Sequence, residues 1–117
     1  MSKEFSYIII EDEEVSRTII KNYVEKYCAN LTFCGEATNI KDGKALIESK
    51  NPDIVFLDIE MPYGNGFDLL ESMDSIDFEV IFITAYSHYA IQALNLSAAY
   101  SDSLFLLKSN DIRFLNP

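Results

Sequence analysis

The chain has 117 residues, nearly half of them apolar, with eight Phe, seven Tyr and a net charge of −10. That size and apolar content support one domain, residues 1–117, with its own core, and exclude a disordered chain. The acidic balance argues against direct binding to DNA or RNA, which needs a basic face, and suits a protein that meets cations or cationic partners.

The opening stretch MSKEFSYIII has no long apolar segment ahead of its charges, so it does not read as a signal peptide, and no run reaches the length of a membrane span. Tyr7 to Ile10 is a short apolar run suited to a strand buried on both faces. Four carboxylates follow at once, Glu11, Asp12, Glu13 and Glu14. The next segment is helical: Ile19, Ile20, Tyr23, Val24 and Tyr27 mark an apolar face, with Arg17, Lys21, Asn22, Glu25 and Lys26 mostly on the polar one. Residues 31–37, LTFCGEA, read as a second strand. Cys28 near the helix end and Cys34 in that strand fall in no metal-type cluster; they read as reduced thiols, so a cytoplasmic setting is expected. Asn39 can cap a helix over residues 40–50, with Ile40, Ala45 and Leu46 inward, and Asn51-Pro52-Asp53 ends it.

Residues 54–58, IVFLD, form the clearest central strand. Residues 59–66, IEMPYGNG, read as a loop, and FDLLESM begins a third helix at Phe67. VIFIT, residues 80–84, is a further apolar strand, SHYAIQALNLSAA has helix composition, and SLFLL, residues 103–107, is a last strand candidate. Strands and helices alternating at this spacing predict an α/β fold, a doubly wound, flavodoxin-like parallel sheet of five strands, regular over residues 1–99 and atypical over 100–117.

In such sheets the functional crevice lies beyond the carboxyl ends of the strands. The residues at those ends are Glu11, Asp12, Asp58, Thr84 and, on the fifth-strand reading, Lys108. Glu11 to Glu14 alone would suit a helix N-terminus, but Asp58 and Thr84 fall at matching strand ends. Crowded carboxylates must protonate or bind a cation, and oxygen ligands of this kind suit Mg²⁺. A carboxylate directly after four apolar residues, as Asp58 is, can act as a nucleophile toward phosphorus. Such a transfer asks mainly for alignment and charge neutralisation, which Mg²⁺, the Thr84 hydroxyl and the Lys108 ammonium would supply. His88 beside two tyrosines reads as a surface residue, and Gly64 and Gly66 do not make a nucleotide loop.

IIIEDEE, DIVFLDIEMPYGNGFDLLESM and VIFITAYSHYAIQAL together resemble the receiver domain of two-component response regulators, over residues 5 to 99. The TAYSHYAIQAL segment is most similar to receivers joined to LytTR-type DNA-binding domains. The resemblance implies that Asp58 accepts the phosphoryl group. It implies that Glu11 and Asp12 bind Mg²⁺ with Asp58 and the backbone carbonyl of Glu60. By the same likeness Thr84 is the switch hydroxyl, Tyr86 flanks the site, and a sensor histidine kinase is the donor.

The chain departs from the family pattern after Ala99. FLLKS offers Phe105 and Lys108 in the family's order, but Ser109 stands where proline is usual, the interval from Thr84 to Lys108 is about four residues longer than expected, and no fifth helix follows. Either SLFLL fills the fifth strand place and Phe105 and Lys108 join the switch, or SLFLLKSNDIRFLNP resembles the opening strands of a LytTR-type domain and Lys108 stands apart. The first is preferred, because an open sheet edge is a liability. Three functions follow: a phospho-accepting switch; a receiver-like binding module that no longer switches, open to homodimerisation through its tail; and, far behind, a Mg²⁺-dependent phosphatase with Glu60 as second acid, against which the absence of an Asp-Gly-Thr continuation counts.

Overall fold

The computed structural model describes residues 4–61 and 63–83 in full and the backbone of 104–107. Chain order runs β1 (Phe5–Ile10), α1 (Glu14–Tyr27), β2 (Leu31–Ala37), α2 (Ile40–Lys50), β3 (Ile54–Asp58), β4 (Glu60–Met61), β5 (Gly64–Asn65), α3 (Gly66–Glu71), β6 (Glu79–Ile83) and β7 (Leu104–Leu107). Five strands form one parallel sheet in the order β2-β1-β3-β6-β7. β7 pairs beside β6 from Val80↔Leu104 to Ile83↔Leu107, so Leu104–Leu107 supply the fifth strand of the sheet. The fifth helix, and everything else expected of residues 84–103 and 108–117, lies outside the described residues.

The inner stretches of the central strands, residues 7–10, 54–57 and 80–83, are apolar because helices cover both of their faces, and side chains alternate between two cores. Ile8, Ile10, Val55, Leu57, Val80 and Phe82 point to one, where they meet Ile47 of α2 and Phe67, Leu69 and Leu70 of α3. Tyr7, Ile9, Phe56 and Ile83 point to the other, against Ile20 and Val24 of α1. Among the described residues β2 pairs only with β1, and its pattern is accordingly half exposed.

Asn39 caps α2 as its sequence suggests, its side chain accepting the Asp42 N–H at 2.8 Å. Asn51 ends that helix in a left-handed conformation with φ 48°. The inward face of α2 differs from expectation: Gly43 and Ile47 are buried, Ile40 and Leu46 pack partly, and Ala45 is exposed. The reason is close approach. A Cβ on Gly43 would sit 2.8 Å from Ile10 Cδ1, so the helix lies on β1 through its glycine and turns Ala45 to solvent. Tyr27 is likewise outside the core, 61% exposed at the end of α1, its ring tilted against Tyr23 with centroids 5.0 Å apart.

The segment 59–66 is more ordered than a plain loop. β4 and β5 make a two-stranded antiparallel hairpin, and α3 starts at Gly66 rather than Phe67. Asn65 and Asp68 form a capping box, each side chain accepting the other's backbone N–H at 3.0 Å. No helix among the described residues is long and apolar enough to cross a membrane.

Candidate functional site

Chain order and strand order together create the site. From β1 the chain steps outward to β2, then crosses back to β3 on the other flank of β1, and the reversal opens a crevice beyond the carboxyl ends of β1 and β3. Glu11 follows β1 directly, Asp12 starts the turn into α1, and Asp58 is the last residue of β3. Carboxylate oxygens from all three lie within 4.8 Å of one another.

The surrounding backbone holds Asp58 in place. Its Oδ1 accepts the Glu60 N–H at 3.2 Å. The following residue, Ile59, is fully buried, donates to the Ile83 carbonyl at 3.4 Å and accepts from Gly66 N–H at 2.8 Å. Gly66 is required there: a Cβ would lie 2.8 Å from the Asp58 carbonyl oxygen and 3.0 Å from Leu57 Cγ. A cleft of about 650 Å³ opens beside Asp12, walled by Ile40 and by Tyr63, which stands fully in solvent at the hairpin tip.

Three carboxylates so close cannot all ionise in a half-buried crevice. Asp58 is pushed up to about 9, first by burial, then by its hydrogen bond with Glu11 and by that residue's charge, against a smaller opposing pull from the Glu60 N–H. Glu11 is also raised, chiefly by burial, while the hydrogen bonds from Asp58 and from the Glu13 N–H work the other way. The pair therefore holds a proton between its two carboxyls above the usual carboxylate range. A hard divalent cation would relieve the same crowding, and three carboxylates in reach of one point are the donor set such an ion prefers.

One residue beside the site escaped the sequence reading. Arg17, expected on the polar face of α1, instead folds back with only 12% of its side chain exposed. Its Nη1 donates to the Glu11 carbonyl at 2.9 Å and its Nε to Glu36 Oε2 at 2.7 Å. Lys21 Nζ meets the other oxygen of Glu36 at 2.7 Å. Lys21 foremost, with Arg17, holds the Glu36 carboxyl below its usual range despite partial burial. The sequence signal was the Arg17/Lys21 spacing, one helical turn apart and facing the acid at the end of β2.

Of the residues named from sequence, the structure brings Glu11, Asp12 and Asp58 together and sets Glu60 two residues after Asp58, on β4. The backbone of Phe105 lies in β7, opposite Ile81. Thr84, Tyr86, His88 and Lys108 lie outside the described residues. Cys28 and Cys34 are both unbridged.

A model of the response regulator receiver domain matches residues 7–115. An uncharacterized response regulatory protein of Vibrio cholerae is 36% identical over 94 residues, covering 80% of this chain and 39% of its own length. The sensory transduction protein LytT of Bacillus cereus is 31% identical over 93 residues, 78% of this chain and 37% of that protein. Among solved structures, the response regulator domain of Thermotoga maritima CheB superposes with a TM-score of 0.73 at 19% identity, over 89% of this chain and 78% of that one, a likeness of fold. The chain thus spans less than two fifths of the length of these two curated relatives.

Proposed function

The chain belongs to the response regulator receiver family, and from that premise we propose that it is a phospho-accepting switch in which Asp58 takes a phosphoryl group from the phosphohistidine of a sensor kinase. The observation that carries the reading is the cluster of Glu11, Asp12 and Asp58 at the reversal of strand order, with Asp58 rigidly presented at the end of β3.

In this reading one Asp58 oxygen stays bonded to the Glu60 N–H while the other attacks phosphorus. An O–P bond forms, the P–N bond to imidazole breaks, and the nitrogen leaves with the electron pair and takes up a proton. Asp58 is a nucleophile only when ionised, and burial beside Glu11 opposes that. Glu11, Asp12, Asp58 and the backbone carbonyl of Glu60 would hold Mg²⁺, whose charge favours the ionised carboxylates and offsets that of the incoming phosphoryl oxygens. The buried backs of β1 and β3 keep the acids in register, and the cleft beside Asp12 admits the donor. Thr84, Phe105 and Lys108 are assigned to the response: the hydroxyl and ammonium move onto the phosphoryl group, and the aromatic ring follows into the space Thr84 leaves. The chemistry is confined to the chain's own phosphorylation and dephosphorylation.

Incubation with acetyl phosphate and Mg²⁺ tests the reading. One phosphoryl mass should appear, and Asp58→Asn should abolish it; full modification of the variant would place the acceptor elsewhere.

A further inference from the structure

We propose that Arg17 is a positioning residue for the acidic site, and that Glu36 and Lys21 hold it to that task; the inference rests on reading the site as a Mg²⁺-assisted phospho-acceptor. Glu11 is pinned on both sides of its Cα. Its N–H donates to the Ala37 carbonyl of β2 at 3.0 Å, and its own carbonyl accepts from Arg17 at 2.9 Å. That carbonyl belongs to the peptide plane joining Glu11 to Asp12. Fixing the plane fixes the launch directions of two of the three clustered carboxylates at once.

The guanidinium does this through the Glu11 backbone, and its ion pair is with Glu36 rather than with the clustered acids. Glu36 takes its Nε edge at 2.7 Å, and Lys21 Nζ holds the other Glu36 oxygen at 2.7 Å, which fixes the orientation of that carboxylate. Glu36 holds the Nε edge of Arg17, so the guanidinium is kept on the Glu11 carbonyl and the oxygens of the three clustered acids are left for a cation. An ordinary surface ion pair contributes little. This one ends on the backbone of a site residue, and its arginine is largely buried. A planar fork with donors on two edges suits the geometry, and a single ammonium cannot serve both acceptors alike.

The test compares wild type, Arg17→Met, Arg17→Lys and Glu36→Ala, each confirmed as folded by circular dichroism at the temperature of measurement. Titration calorimetry gives the Mg²⁺ dissociation constant, and amide NMR of the metal-free proteins gives the Asp12 environment. Arg17→Met should weaken Mg²⁺ about tenfold, the scale seen when a partner that orients a metal ligand is removed, and should shift the Asp12 amide before any metal is added. Arg17→Lys should recover part of the affinity. Glu36→Ala, which frees the guanidinium to turn toward the carboxylates, should weaken Mg²⁺ as well, and it carries the test if Arg17→Met does not fold. A merely structural arginine would lower melting temperatures and leave the folded variants with wild-type Mg²⁺ affinity and an unshifted Asp12 amide; that result overturns the proposal. Wild-type protein that binds no Mg²⁺ would instead overturn the reading of the site itself, and the role of Arg17 with it.

Discussion

Asp58→Asn should make the protein more stable at neutral pH when divalent cations are absent, and the gain should grow with pH. Asp58 is raised from 3.8 to about 9 by burial and by Glu11. Between those values the native state keeps a proton that the unfolded chain has released. The native state therefore binds more protons, and wild-type stability must fall as pH rises through this window. The slope for one such proton is about 1.36 kcal/mol per pH unit, so the loss from pH 5 to pH 7 is about 2.7 kcal/mol at most. Asparagine does not titrate, and its amide can still donate to Glu11. The difference in unfolding free energy between variant and wild type should widen by up to that amount over the two pH units. Urea unfolding in EDTA at pH 5, 6 and 7, extrapolated linearly, measures it. Saturating Mg²⁺ should narrow the gap, because the ion binds the wild-type native state better. Parallel stability profiles for the two proteins in EDTA would refute the argument, since Asp58 would then be ionised in both states and the three acids would not crowd one another as described.

Added Mg²⁺ should raise the melting temperature of the wild type, and Asp12→Ala should remove most of that rise; an unchanged shift in the variant would put the ion at another site. Gly66→Ala should cost about 1–3 kcal/mol in denaturant unfolding, because the new Cβ meets the Asp58 carbonyl at 2.8 Å, and should slow phosphorylation by displacing Asp58; wild-type values for both would contradict the close packing of α3 on β3. Asn65→Ala breaks the capping box at the start of α3 and should destabilise by about 1 kcal/mol without altering Mg²⁺ affinity, measured by denaturation and calorimetry on the same samples.

Much of this protein is legible from local pattern. Apolar runs at 7–10, 54–57 and 80–83 suit strands covered on both faces, and their alternation with amphipathic segments implied a parallel sheet. The site followed by the same logic: Glu11, Asp12 and Asp58 each stand where an apolar run stops, and a parallel sheet gathers such ends on one side. The Asn39 cap was equally local, since the side chain reaches a backbone N–H only three residues on.

Other features depend on neighbours distant in sequence. Ala45 faces out because Gly43 lets α2 settle on Ile10, a packing choice that helical periodicity cannot register. The place of SLFLL is a statement about β6 pairing, and its own residues suited more than one neighbour. Arg17 reads in sequence as one more charge on a solvated helix face. It becomes part of the site only when β1 and β2 align so that the Glu11 carbonyl and the Glu36 carboxylate present themselves to one guanidinium. Hydrophobic period and strand-end chemistry are carried by residues close in the chain, so sequence alone determined the sheet, its covered faces and the acidic triplet. Helix facing, the fifth strand's partner and the charge network behind Glu11 depend on contacts between segments, which exist only once the tertiary structure has formed.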